Sequence, residues 1–162
     1  MKQRDRVRVL VIEDDEPKLA AIEKLIREEL PDADVRSARS LTSAVSALTE
    51  EDVDLAVIDM SLPTYDFSTD KAGGGLPQKF GGEDVLRFIE SERPETLTVV
   101  VTQYEEFSDS KGRGSRSLSD LRESLGRLMG PSFLGVIHYS GQQGEWRARL
   151  REIVGRLRER KA

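Results

Sequence analysis

The chain has 162 residues, 34% of them charged and 37% hydrophobic, with a formal net charge of -5. That length suits one domain with a sizeable core, and the composition is that of a globular protein rather than a disordered one. The acidic balance gives no support to nonspecific nucleic-acid binding, no apolar run reaches transmembrane length, and residues 1–8 do not form a signal peptide. A cytoplasmic protein without membrane or nucleic-acid contacts is expected. Zero cysteines exclude disulfides, thiolate metal sites and cysteine nucleophiles, and a lone His138 cannot build a histidine-rich zinc centre. A metal here would have oxygen ligands.

In chain order, residues 7–12 read as a buried strand. Residues 16–30 follow as a helix with Leu19, Ile22, Leu25, Ile26 and Leu30 at helical spacing, Pro17 in its first turn and Asp14 or Asp15 as its cap. A weak strand near Val35 leads to a short helix over residues 42–48, with Val45 and Leu48 on one face. Residues 55–58 form the second strong strand. The spacing of Val85, Leu86 and Ile89 predicts a helix over 83–91, ended by Pro94, and residues 97–101 give an apolar, β-branched strand. Leu118, Leu121, Leu125 and Leu128 repeat at helical spacing before Gly130-Pro131, a stripe read as core with a possible homodimer face as the alternative. Residues 133–137 form the last strand, and 145–160 a closing helix with Trp146, Leu150, Ile153, Val154 and Leu157 inward. Five alternations of strand and helix argue for a doubly wound α/β fold: a five-stranded parallel sheet with helices on both faces.

Two stretches exceed a minimal connection. Residues 64–80 are polar, contain Gly73-Gly74-Gly75 and Pro77, and are expected to be a flexible insertion; residues 103–116 are expected to be a long polar loop. The glycine run lacks an adjoining GK[ST] motif, so it is a poor phosphate cradle. Both stretches fall inside a single 1–162 domain. In the last helix, Arg147, Arg149, Arg151, Arg156, Arg158 and Arg160 interleave with Glu145, Glu152 and Glu159 as a solvated mixed-charge face.

Chemistry concentrates at strand ends. Glu13-Asp14-Asp15 follows the first strand and Asp59 the strand over 55–58, and ligands of open parallel sheets bind just beyond those ends. Clustered carboxylates repel one another, so a cation, a lysine or a proton must offset the charge. Glu13, Asp14 and Asp59 therefore read as a hard-metal site. Taken singly, Asp14 and Asp15 also suit helix capping, Asp59 a turn, and Thr102 an ordinary strand position.

The run Leu10-Val11-Ile12-Glu13-Asp14-Asp15-Glu16, the run Asp54-Leu55-Ala56-Val57-Ile58-Asp59-Met60-Ser61-Leu62-Pro63, and Val99-Val100-Val101-Thr102 together resemble the receiver domain of two-component response regulators. The resemblance spans essentially the whole chain, in order. It implies a flavodoxin-like fold and a stand-alone receiver that takes a phosphoryl group on Asp59 from a histidine kinase or phosphotransfer protein. Asp14 and Asp59 would ligate Mg²⁺, with the Ser61 backbone carbonyl as a further ligand and Glu13 holding a metal-bound water. Thr102 would give its hydroxyl to the phosphoryl group and draw its loop inward, changing the binding of a downstream protein. Such a domain is an acceptor rather than a turnover enzyme. Two alternatives stay open: a pseudo-receiver acting as a phosphorylation-independent interaction module, and a Mg²⁺-dependent phosphohydrolase, which Ser61 disfavours because an aspartate acid/base is wanted there.

The sequence departs from the family at the fifth strand, where receivers carry a lysine followed by proline. Here the stretch is Gly135-Val136-Ile137-His138-Tyr139-Ser140-Gly141. His138 is expected either to end the strand or to substitute in part as imidazolium, with Lys71, Lys79 or Lys111 as loop-borne candidates. Gln103 and Tyr104 follow Thr102 where they would tune access to the acceptor and the lifetime of its phosphoryl group. Val136 or Gly135 occupies the aromatic switch position.

Overall fold

In a computed structural model, the chain is described over residues 6–65, 77–78, 81–103, 106–108, 115–140 and 144–161. Strand β1 (Arg8–Ile12) leads into α1 (Glu16–Glu29), which Asp15 caps by accepting from the Lys18 backbone N–H, with Pro17 in the first turn where no intrahelical donor is lost. Next come β2 (Asp34–Ala38), α2 (Leu41–Glu50) and β3 (Leu55–Ile58). Ser40 and Ser43 close a reciprocal capping box at the start of α2. The short β4 (Leu62–Pro63) and β5 (Pro77–Gln78) precede α3 (Gly81–Glu92) and β6 (Leu97–Thr102). Then β7 (Glu106–Ser108) and β8 (Ser115–Ser117) lead to α4 (Leu118–Leu128), β9 (Phe133–His138) and α5 (Glu145–Lys161).

The main sheet is parallel, in the order β2-β1-β3-β6-β9. Counting only its own strands this is the 2-1-3-4-5 order of flavodoxin-like folds, whose direction of winding reverses between the first and third strands. Alternate residues of each strand feed opposite faces. Val9 and Val11 pack with α1 and α5 around Ile22, Ile26, Trp146 and Leu150; Leu10 and Ile12 pack with α2, α3 and α4 around Leu48, Leu86, Leu121 and Leu125. Each fully buried side chain of this size stabilises by roughly 1.5–3 kcal/mol relative to exposure, so neither face is dispensable. Among the described residues, no helix is long and apolar enough to cross a membrane.

The closing helix buries Trp146, Leu150, Ile153, Val154 and Leu157, as its spacing predicts. Its arginines pair at the surface, Arg151 and Arg158 with Glu29 and Arg156 with Glu152. The leucine stripe of α4 is core: Leu121 and Leu125 are buried, while Leu118 and Leu128 pack against the same cluster. Three expectations need correction. The buried face of α2 is set by Ala44 and Leu48, with Val45 only half-buried. Helix α3 begins two residues earlier than its apolar spacing suggests, at Gly81-Gly82. Neither long connection is plain loop at its ends: β4 pairs antiparallel with β5 through Leu62 opposite Gln78, and β7 with β8 through Phe107 opposite Arg116. Residues 66–76, with the triple glycine and Lys71, and residues 79, 104 and 111, which include Lys79, Tyr104 and Lys111, lie outside the described residues.

Candidate metal and phosphoacceptor site

Strand register assembles the site. Ile12 is opposite Ile58 across the β1–β3 ladder, and the Asp59 N–H donates to the Ile12 carbonyl at 3.0 Å, so the residues following each strand emerge at the same level. Glu13 is fixed on the other side by its own N–H donating to the Ala38 carbonyl at 3.0 Å. One carboxylate oxygen each from Glu13, Asp14 and Asp59 comes together with all separations within 4.8 Å. Glu13 and Asp59 are buried and Asp14 is half-buried. Thr102, at the carboxyl end of β6, is fully buried, and its carbonyl accepts from the Tyr139 N–H at 2.7 Å.

The approach to Asp59 is shaped by α3. Gly82 donates its N–H to the Met60 carbonyl at 2.9 Å, and a Cβ at Gly82 would lie 2.8 Å from Met60 Cα and closer still to the Asp59 carbonyl oxygen. A Cβ at Gly81 would lie 2.8 Å from the Leu62 carbonyl oxygen. Only glycines permit this backbone approach, which locks residues 59–62 against the helix start. The sequence pattern starts the helix after both glycines and so misses them.

The offsetting charge comes from Lys18, on the first turn of α1. Its side chain is 1% exposed; Nζ donates to Asp59 Oδ1 at 2.9 Å and lies 2.8 Å from Glu13 Oε1. The ammonium also sits 5.6 Å from the centroid of the Tyr139 ring, within cation–π range. Tyr139 in turn packs on Trp146, ring centroids 4.7 Å apart. Lys18 was legible as a residue of α1 but not as the pocket's cation. It shares the helix face of Ile22 and Leu25, and a lysine on an apolar stripe next to a strand-end acidic cluster is the signal that could have found it. His138 lines a cavity of about 280 Å³ with Arg122, Ser140 and Arg149. It ends β9 opposite Thr102, and the lysine of α1 holds Asp59 instead.

Burial dominates the electrostatics. Desolvation, followed by repulsion from Asp59, pushes Glu13 up to about 8, against the attraction of Lys18. Desolvation raises Asp14 too, with Asp59 again adding to it, and it raises Asp59 in spite of Lys18. For Lys18, desolvation alone would lower the value, but Asp59 and Glu13 together hold the ammonium above its ordinary range. One lysine therefore leaves three converging carboxylates undercompensated. Glu13 Oε1 is buried and receives no well-directed hydrogen bond, its contact with Lys18 being an ion pair off the best donor direction. Three hard oxygen donors around a deficit of positive charge fit a small divalent cation such as Mg²⁺.

No family model matches the chain. Among curated proteins it is 25% identical to the Detocs response regulatory protein DtcB of Enterobacter cloacae, over 93% of this chain and 100% of that protein. Among solved structures, a CheY-like response regulator receiver domain protein of Methanospirillum hungatei superposes with a TM-score of 0.62 at 20% identity, covering 95% of each chain. The signal receiver domain of a putative Luxo repressor protein from Vibrio parahaemolyticus gives 0.64 at 18% identity, covering 96% of this chain and 92% of that one. Strand order and helix placement coincide with this architecture, and the chain has the fold of a response-regulator receiver domain.

Proposed function

We propose that the chain is a single-domain receiver that accepts one phosphoryl group on Asp59 from a phosphohistidine of a histidine kinase or phosphotransfer protein, and that this changes its binding of a downstream protein. The observation that carries the reading is the placement of Asp59 beyond β3, beside Glu13 and Asp14, where an open parallel sheet presents its ligand site. In the transfer, an Asp59 carboxylate oxygen bonds to phosphorus as the phosphorus–nitrogen bond breaks, and the imidazole leaves with a proton. Mg²⁺ held by Asp14, Asp59 and the Ser61 carbonyl, with Glu13 through water, would neutralise charge on the phosphoryl oxygens. Lys18 donates to Asp59 Oδ1 at 2.9 Å and so orients the carboxylate. Thr102 offers a buried hydroxyl at the adjacent strand end as the contact that would draw its loop inward.

In this role the protein is an acceptor and not a turnover enzyme. Intact-mass measurement with Mg²⁺ and acetyl phosphate or phosphoramidate is expected to show one added phosphoryl group, lost in Asp59→Asn. No gain with any donor would count against the reading. A second reading, a phosphorylation-independent interaction module, draws on Lys18 already neutralising part of the pocket. It would prevail if Asp59→Asn protein supported normal function in cells.

A further inference from the structure

Lys18 is the one buried ammonium among the described residues, and it is bound on three sides: to Glu13 Oε1, to Asp59 Oδ1 and to the face of Tyr139. Two of its partners are also two of the three carboxylates that converge within 4.8 Å. The ammonium and a divalent cation therefore draw on the same oxygens. We infer that Lys18 is a tethered cation that competes with the divalent ion for Glu13 and Asp59, so that metal entry shifts its ammonium against Tyr139 and is registered at Trp146 on α5.

The direction follows from charge and anchorage. Without metal, Lys18 offsets part of the repulsion among the carboxylates, so the pocket holds together. A divalent ion at the same oxygens repels the ammonium, and the backbone of Lys18 cannot retreat, because its N–H is bound to the Asp15 cap at 3.1 Å. Only the side chain can move. The wall it meets is Tyr139, whose ring packs at 4.7 Å on Trp146. Trp146 is the only tryptophan in the sequence and is fully buried, so its emission reports this contact. The route runs through the α1–α5 side of the sheet, and its middle residue, Tyr139, also donates its backbone N–H to the Thr102 carbonyl.

The inference rests on the divalent-cation reading of the pocket, and one set of titrations separates the two. Mg²⁺ is titrated by calorimetry into wild type, Lys18→Met and Tyr139→Leu, with Trp146 emission followed in parallel and folding checked by circular dichroism. Lys18→Met is expected to bind Mg²⁺ at least tenfold more tightly and to gain more thermal stability from it. Wild-type emission is expected to change on saturation, and that change to be lost in Lys18→Met and in Tyr139→Leu, the latter still binding the ion. Equal or weaker binding by Lys18→Met, or an emission change that survives in either variant, would overturn the inference while leaving the metal site intact. Failure of every protein to bind Mg²⁺ would overturn the metal reading and the inference with it. Should Lys18→Met not fold without metal, refolding restored by Mg²⁺ supports the inference, and folding that Mg²⁺ fails to restore overturns it.

Discussion

Glu13 sets the charge of the pocket across the neutral range. Its carboxyl is held at about 8, mainly by desolvation and then by Asp59, whereas in the unfolded chain it titrates near the ordinary carboxylate value. The native state therefore binds more protons than the unfolded one between those two values, and stability must fall as pH rises through that window. Asp14 and Asp59 are raised in the same sense. Lys18 is also raised, but its contribution is fully present below the ordinary lysine value and is lost only above it, outside the window. In metal-free buffer the urea midpoint is expected to decline from pH 5 to pH 8, and the decline to shrink in Glu13→Gln. A midpoint that rises over that range, or an unchanged slope in the variant, would refute this. The carboxylates were legible in the sequence because strand ends can be read from short apolar runs. Lys18 was not, because a long side chain on an apolar stripe normally carries its charge out to water, and only the fold shows that this one is directed inward at Asp59.

The elements differ in how much of their placement is local. Asp15, Ser40 and Ser117 cap their helices through side chains that accept the N–H three residues on, a signal available from sequence alone. The start of α3 is different, since Gly81 and Gly82 belong there because of a strand end some twenty residues earlier. A Cβ at Gly82 would drive into the Asp59–Met60 backbone. Gly82→Ala is therefore expected to cost roughly 1–3 kcal/mol from overpacking and, by moving Asp59, to slow the phosphoryl transfer proposed for it. Gly126, inside α4, is the matched control, because a Cβ added there would meet no heavy atom within 4 Å. Gly126→Ala should stabilise by about 0.5–1 kcal/mol through helix propensity. Equal effects of the two substitutions in denaturant titrations would mean that close approach to Asp59 is not what selects glycine at position 82. The two-residue ladder of β4 with β5, and that of β7 with β8, escaped the sequence reading for a related reason: two or three residues are too few for a period of two to register.

At the scale of the molecule, the acidic pocket lies where two half-cores meet. Strands β1, β3 and β6 supply both, Val9, Val11, Val57, Val99 and Val101 to the α1–α5 side and Leu10, Ile12, Ala56, Ile58 and Val100 to the α2–α4 side. Neither layer of helices can leave without exposing one face of the same strands, and those strands carry Glu13, Asp59 and Thr102 at their ends. The two sides should therefore unfold together. Leu150→Ala on α5 and Leu86→Ala on α3 each open a cavity in a fully buried position and are expected to cost about 2–5 kcal/mol. In both variants the loss should appear as a shift of one common transition. Emission of Trp146, which sits wholly on the α1–α5 side, should trace the same curve as far-ultraviolet circular dichroism, which reports every helix. Separate transitions by the two probes, with Leu86→Ala moving only the second, would show that the halves are independent. In that case the pocket would hold its geometry from the α1 side alone, through Lys18 and the cap at Asp15, and the Gly82 contact with Met60 would be secondary to it.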